Sequence, residues 1–127
     1  MEQKTILIVD DESRFRFSLG LILKSHGFIV LEAEHGGQAL EILADNTLRD
    51  NEVDLVITDI KMPGFDGLEL IKNIIDRKYS TQIIVMTGYG NRQTMESLKN
   101  MGCTRVVHKP FDQSDLMNMI HAAMKSS

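Results

Sequence analysis

Cysteine is almost missing: Cys103 stands alone among 127 residues, so no disulfide can form within the chain. That excludes a disulfide scaffold, fits a reducing compartment and leaves packing as the expected use of the thiol. Long apolar runs are missing too. ILIV (6–9) is cut off by acids, and no later run approaches the ~18 residues of a membrane span, so no membrane insertion is expected. Positive charge is short: 14 Lys and Arg against 18 Asp and Glu give a formal net charge of -4, which argues against direct nucleic-acid binding by phosphate neutralisation. The four histidines (26, 35, 108 and 121) are scattered and the cysteine has no partner, which removes a zinc site. A full G-x-G-x-x-G pattern is also lacking, because GYG (88–90) follows the fourth strand candidate and is too short. No linker, repeat or low-complexity segment interrupts the chain. With 43% hydrophobic and 25% charged residues, the expectation is one cytoplasmic globular domain over 1–127.

What is present is an alternation. Five strand candidates, TILIVD (5–10), FIVLEA (28–33), VDLVITD (53–59), QIIVMT (82–87) and TRVVHK (104–109), include three that are apolar almost throughout, as strands covered on both faces are. Between and after them apolar residues recur three and four apart, as in Phe15, Leu19, Ile22, Leu23 or Leu116, Met119, Ile120, Ala123, which predicts five amphipathic helices. Strand-helix repeats of this kind imply an α/β fold, a doubly wound five-stranded parallel sheet with right-handed crossovers. Gly27 is expected to follow the first helix, Gly36–Gly37 to precede the second, Pro63–Gly64 to break the link after the third strand and Gly102 to end the fourth helix, and DNTLRDNE (45–52) is expected to be a surface loop.

In such sheets functional groups gather beyond the carboxyl ends of the strands. Asp10 and Asp11 close the first strand, Asp59 the third, Thr87 the fourth and Lys109 the fifth. Asp54, at the far end of the third strand, lies about 16 Å from Asp59 at 3.3 Å per residue and is excluded from the site. With strand order 2-1-3-4-5 the three acids converge, and three carboxylates at close range repel one another unless a cation intervenes. Oxygen ligands that leave room for water and phosphate favour Mg²⁺. A carboxylate beside that ion can act as a nucleophile toward phosphorus, with the Lys109 ammonium stabilising the developing charge and the Thr87 hydroxyl bonding a phosphoryl oxygen.

Four motifs, each at a strand end and in order, carry a resemblance: the acidic pair of ILIVDDE, LVITDIKMPGFDG, VMTG and HKPF. The chain resembles the receiver domains of bacterial two-component response regulators, over essentially its whole length. The resemblance implies a flavodoxin-like fold, with Asp59 as phosphoacceptor and Asp11 as a direct Mg²⁺ ligand. It implies that Asp10 acts through a metal-bound water, that the Lys61 backbone carbonyl is a further ligand, that Thr87 is the switch hydroxyl and that Lys109 contacts the phosphoryl group. It further implies a histidine kinase or histidine phosphotransfer protein as donor and a cis Lys109–Pro110 bond. Output is implied through the face of the fourth helix, fifth strand and fifth helix, to an output domain, a partner or a phosphorylation-dependent dimer.

One position departs from the pattern: Val106 stands where receivers commonly carry Tyr or Phe, so the resemblance extends to the phosphorylation chemistry and not to the usual aromatic readout. Tyr89, two residues past Thr87, is expected to slow hydrolysis of the acyl phosphate. Taken singly, the site residues have ordinary readings: a helix cap for Asp10 or Asp11, a turn residue, a strand threonine and a surface lysine. Two other classes stay open. An aspartate-nucleophile phosphohydrolase would place a D-x-D on its first strand, and a pseudo-receiver scaffold would lack Asp59, Thr87 or Lys109; a flavodoxin-like cofactor binder would need a phosphate-cradling loop, whereas DDESRF is acidic and glycine-free.

Overall fold

A computed structural model describes residues 3–60, 67–88 and 92–125. Among them, five strands and five helices alternate: β1 (Thr5–Val9), α1 (Ser13–Ser25), β2 (Ile29–Ala33), α2 (Gly36–Leu48), β3 (Leu55–Asp59), α3 (Gly67–Asp76), β4 (Gln82–Thr87), α4 (Arg92–Asn100), β5 (Val106–His108) and α5 (Gln113–Lys125). All the pairings are parallel, in the order β2-β1-β3-β4-β5, as the doubly wound reading expects.

Strand alternation sorts the aliphatic side chains to two faces. Ile6, Ile8, Leu55, Ile57, Ile84 and Met86 meet Leu19 and Leu23 of α1 and Leu116 and Ile120 of α5. Their neighbours Leu7, Val9 and Val56 face the other way, onto Leu40 and Leu43 of α2 and Leu70 and Ile74 of α3, and Val85 packs with Leu98 of α4, Ile71 and Cys103. The central strands are buried on both sides while edge strand β2 is half-exposed, which is why β1 and β3 read as unbroken apolar runs. Full burial of one such side chain contributes about 1.5–3 kcal/mol, so these layers are what hold the strand ends in place.

Three local expectations change. The polar stretch from 45 does not begin a loop, because α2 continues to Leu48 and Arg49 pairs with Asp45 at 3.3 Å one turn back. Gly36 and Gly37 open α2 rather than precede it; the true cap is His35, whose Nδ1 accepts the Gln38 N–H at 3.1 Å. Glu12, not Asp10 or Asp11, occupies the N-cap position of α1, and its side chain makes no capping bond. None of the helices formed by described residues is long and apolar enough to cross a membrane.

Candidate functional site

The strand ends converge as the topology requires. β1 pairs with β3 through Val9 opposite Thr58, and β3 with β4 through Asp59 opposite Met86, so residues 10, 59 and 87 leave the sheet at one edge. The chain bends at Asp11, which lets two successive acids reach one place: Asp10 is fully buried and Asp11 exposed. Carboxylate oxygens of Asp10, Asp11 and Asp59 lie within 4.8 Å of one another. Three hard oxygen donors from three carboxylates fit a small divalent cation such as Mg²⁺.

Each acid is held differently. Asp10 Oδ1 accepts the Glu12 N–H at 2.9 Å and Oδ2 accepts Lys109 Nζ at 2.9 Å, so both its oxygens are already engaged. Asp59, with a side chain 15% exposed, accepts the same ammonium through Oδ2 at 3.1 Å. Lys109 thus bridges strand ends one and three. Burial alone would pull its ammonium below the ordinary lysine range, but the hydrogen bonds to Asp10 and Asp59 and their negative charges outweigh burial and hold it above. Its backbone is fixed as well: the Lys109 N–H donates to the Thr87 carbonyl at 2.8 Å, and the Lys109–Pro110 bond is cis. Thr87 ends β4 and is 3% exposed.

Three further residues at the site were given no role by the motifs. Arg16, 8% exposed, donates from Nη1 to the Asp10 carbonyl at 2.6 Å and from Nε to Glu32 Oε1 at 3.1 Å, pinning the end of β1 to β2. Gly67, last residue of LVITDIKMPGFDG, donates to the Ile60 carbonyl at 2.8 Å, and any side chain there would meet the backbone of Asp59 and Ile60. Phe15 lays its ring against Lys109 Nζ, 4.4 Å from the centroid. Sequence offered weak signals at best: an arginine between two phenylalanines on α1, and a glycine eight residues past Asp59. Asp54 sits at the opposite end, accepting the buried Thr5 N–H at 2.8 Å and pairing with Lys4 at 3.9 Å. Lys61 and Tyr89 lie outside the described residues.

Five parallel strands around converging acids, a threonine and a lysine define a receiver-type α/β domain. The chain belongs to the response regulator receiver domain family, whose model matches residues 6–121. It is similar to sporulation initiation phosphotransferase F of Bacillus subtilis, 32% identical over 120 residues that span 94% of this chain and 93% of that protein. It is also similar to the DNA-binding transcriptional regulator NtrC of Escherichia coli, 32% identical over 124 residues that span 98% of this chain and 25% of that one. Response regulator protein TrrA of Thermotoga maritima, solved in complex with Mg(2+)-BeF, superposes with a TM-score of 0.80 at 32% identity, covering 95% of this chain and 99% of that chain.

Proposed function

We propose that residues 1–127 form a receiver that accepts a phosphoryl group on Asp59 from a histidine kinase or histidine phosphotransfer protein. The observation that carries the reading is the Lys109 ammonium shared between Asp10 and Asp59, with the Asp11 carboxylate alongside. That arrangement joins a carboxylate nucleophile to a fixed cation at the point where phosphoryl oxygens would arrive.

In the reaction an Asp59 oxygen forms a bond to phosphorus while the donor's P–N bond, or the P–O bond of acetyl phosphate, breaks and its electron pair leaves with the donor. Lys109 exchanges its bond to Asp59 for one to a phosphoryl oxygen, offsetting the charge spread over those oxygens. Asp11 and Asp59 would be the direct ligands of a bound Mg²⁺, with Asp10 acting through a water and the Lys61 carbonyl as a further ligand, and the ion would supply positive charge against the phosphoryl oxygens. Asp10 suits that outer role because both its oxygens already accept hydrogen bonds. The Thr87 hydroxyl then bonds a phosphoryl oxygen, drawing the β4–α4 connection toward Asp59 and biasing a two-state element.

Output runs through α4, β5 and α5, to an output domain or partner in the cytoplasm or to a second phosphorylated copy. A groove of about 540 Å³ beside β5, with Met95, Leu98, Cys103, Val106 and His108 in its lining, supports that surface. Incubation with Mg²⁺ and acetyl phosphate should add one phosphoryl group by intact mass, and EDTA should abolish it. A chain that labels equally well in EDTA, or never labels, contradicts the reading.

A further inference from the structure

Phe15 carries no acid, base or nucleophile, yet its ring faces the charged end of the site lysine. Lys109 Nζ lies 4.4 Å from the ring centroid, and the lysine side chain is 21% exposed, so little water screens the contact. Phe111 stands edge-on to the same ring, with centroids 6.1 Å apart and planes at 85°. Both rings pack onto the core cluster shared by α1 and α5. An edge-to-face pair seated on a core fixes the plane that Phe15 presents.

We propose that Phe15 is a positioning residue for phosphoryl transfer: its ring keeps the Lys109 ammonium beside Asp59 while that ammonium changes hydrogen-bond partners. The inference rests on the phosphoacceptor reading. Two N–H donors of Lys109 go to Asp10 Oδ2 and Asp59 Oδ2, at 2.9 and 3.1 Å. The second of these engages an oxygen of the nucleophile itself. It must loosen as that carboxylate turns to phosphorus, and a hydrogen bond weakens steeply off its axis. Attraction to a ring face is not tied to any one N–H direction, so it persists through the exchange. An aliphatic side chain of similar bulk would fill the space but leave the lysine tethered by Asp10 alone at that moment.

The test uses the full chain with Phe15→Leu, Phe15→Tyr and a series in which residue 15 is mono-, di- or trifluorophenylalanine. Fluorine withdraws electron density from the ring face and barely alters its shape. Three quantities are read: the labelling rate with acetyl phosphate and Mg²⁺, the ring-current shift of the Lys109 ε-methylene protons, and the urea unfolding midpoint. Phe15→Leu should label roughly 2- to 20-fold more slowly and Phe15→Tyr within about twofold of wild type, as expected for a partly desolvated cation–π contact. Each added fluorine should slow labelling further at an unchanged midpoint, and the upfield shift of Lys109 should vanish in Phe15→Leu. Should Phe15→Leu fail to fold, the fluorinated series decides alone. A flat fluorine series in a chain whose wild type labels overturns the role of Phe15 by itself. A wild type that does not label overturns the phosphoacceptor reading, and the role of Phe15 with it.

Discussion

Alanine at position 67 should disturb the phosphoacceptor without touching its side chain. A Cβ on Gly67 would stand 2.8 Å from the Ile60 Cα and 3.1 Å from the Asp59 carbonyl carbon, and would press on the Asp59 carbonyl oxygen. Carbon atoms rest about 3.5–4.0 Å apart, so the start of α3 and the Asp59–Ile60 backbone must separate by roughly 0.7–1.2 Å. All the crowded atoms are backbone and cannot rotate aside, and the Gly67 N–H to Ile60 carbonyl bond at 2.8 Å ties the two segments together. Overpacking of this kind costs about 1–3 kcal/mol, or about 4 °C of Tm per kcal/mol in a chain of this size. Because a displacement near 1 Å costs on the order of 100-fold in a reaction that depends on placement, labelling by acetyl phosphate should slow by about 10- to 100-fold. Urea midpoints and labelling rates of Gly67→Ala and wild type, taken at a temperature where both are folded, decide the matter. An unchanged midpoint with wild-type labelling would refute the reasoning.

Other residues give sharper separations. Burial pushes the Cys103 thiol from 9.0 up to about 11 despite the nearby Arg105 charge. The folded chain therefore keeps a proton that the unfolded chain releases: stability is full below about pH 9 and falls toward pH 11 by roughly 2–3 kcal/mol. Cys103→Ala should flatten that part of the alkaline decline in urea titrations, and an identical pH profile would count against it. Arg16→Met keeps the apolar stem but strips a donor from the Asp10 carbonyl, so the unfolding free energy from urea titration should fall by about 1–3 kcal/mol; equal stability would show that Arg16 does not pin β1. Asp54→Ala removes the acceptor of the Thr5 N–H, which should cost about 1 kcal/mol while leaving labelling untouched. Slower labelling in that variant would mean the site extends to the far end of the sheet.

The strand ends were legible because double-sided burial leaves unbroken apolar runs, and the first polar residue after each run marks where the sheet stops. Asp10 and Thr87 follow from that rule directly, and Asp59 and Lys109 stand one residue further on, past Thr58 and His108. The end of α2 did not, because the left-handed residue that usually announces a helix stop as glycine is Asp50 here, at φ 58°. A solvated last turn carrying an Arg49–Asp45 pair is as polar as a loop, so composition could not separate them. Within the site, residues that act through their own chemistry were visible and those that act through contact were not. Arg16, Gly67 and Phe15 matter because of what lies across from them: Arg16 and Gly67 reach back over a strand-to-helix turn to Asp10 and to Asp59–Ile60, while the crossovers bring Lys109 to Phe15 from 94 positions away in the chain.

The central claim is that Asp59 alone receives the phosphoryl group, with Asp10, Asp11 and Lys109 serving it. Intact and peptide mass of wild type and Asp59→Asn, after incubation with Mg²⁺ and acetyl phosphate, test this most directly. The wild type should gain one phosphoryl group on the peptide containing Asp59, and Asp59→Asn should gain none. A phosphoryl group carried by the wild type on Asp10 or Asp11, or equal labelling of the two chains, would contradict it.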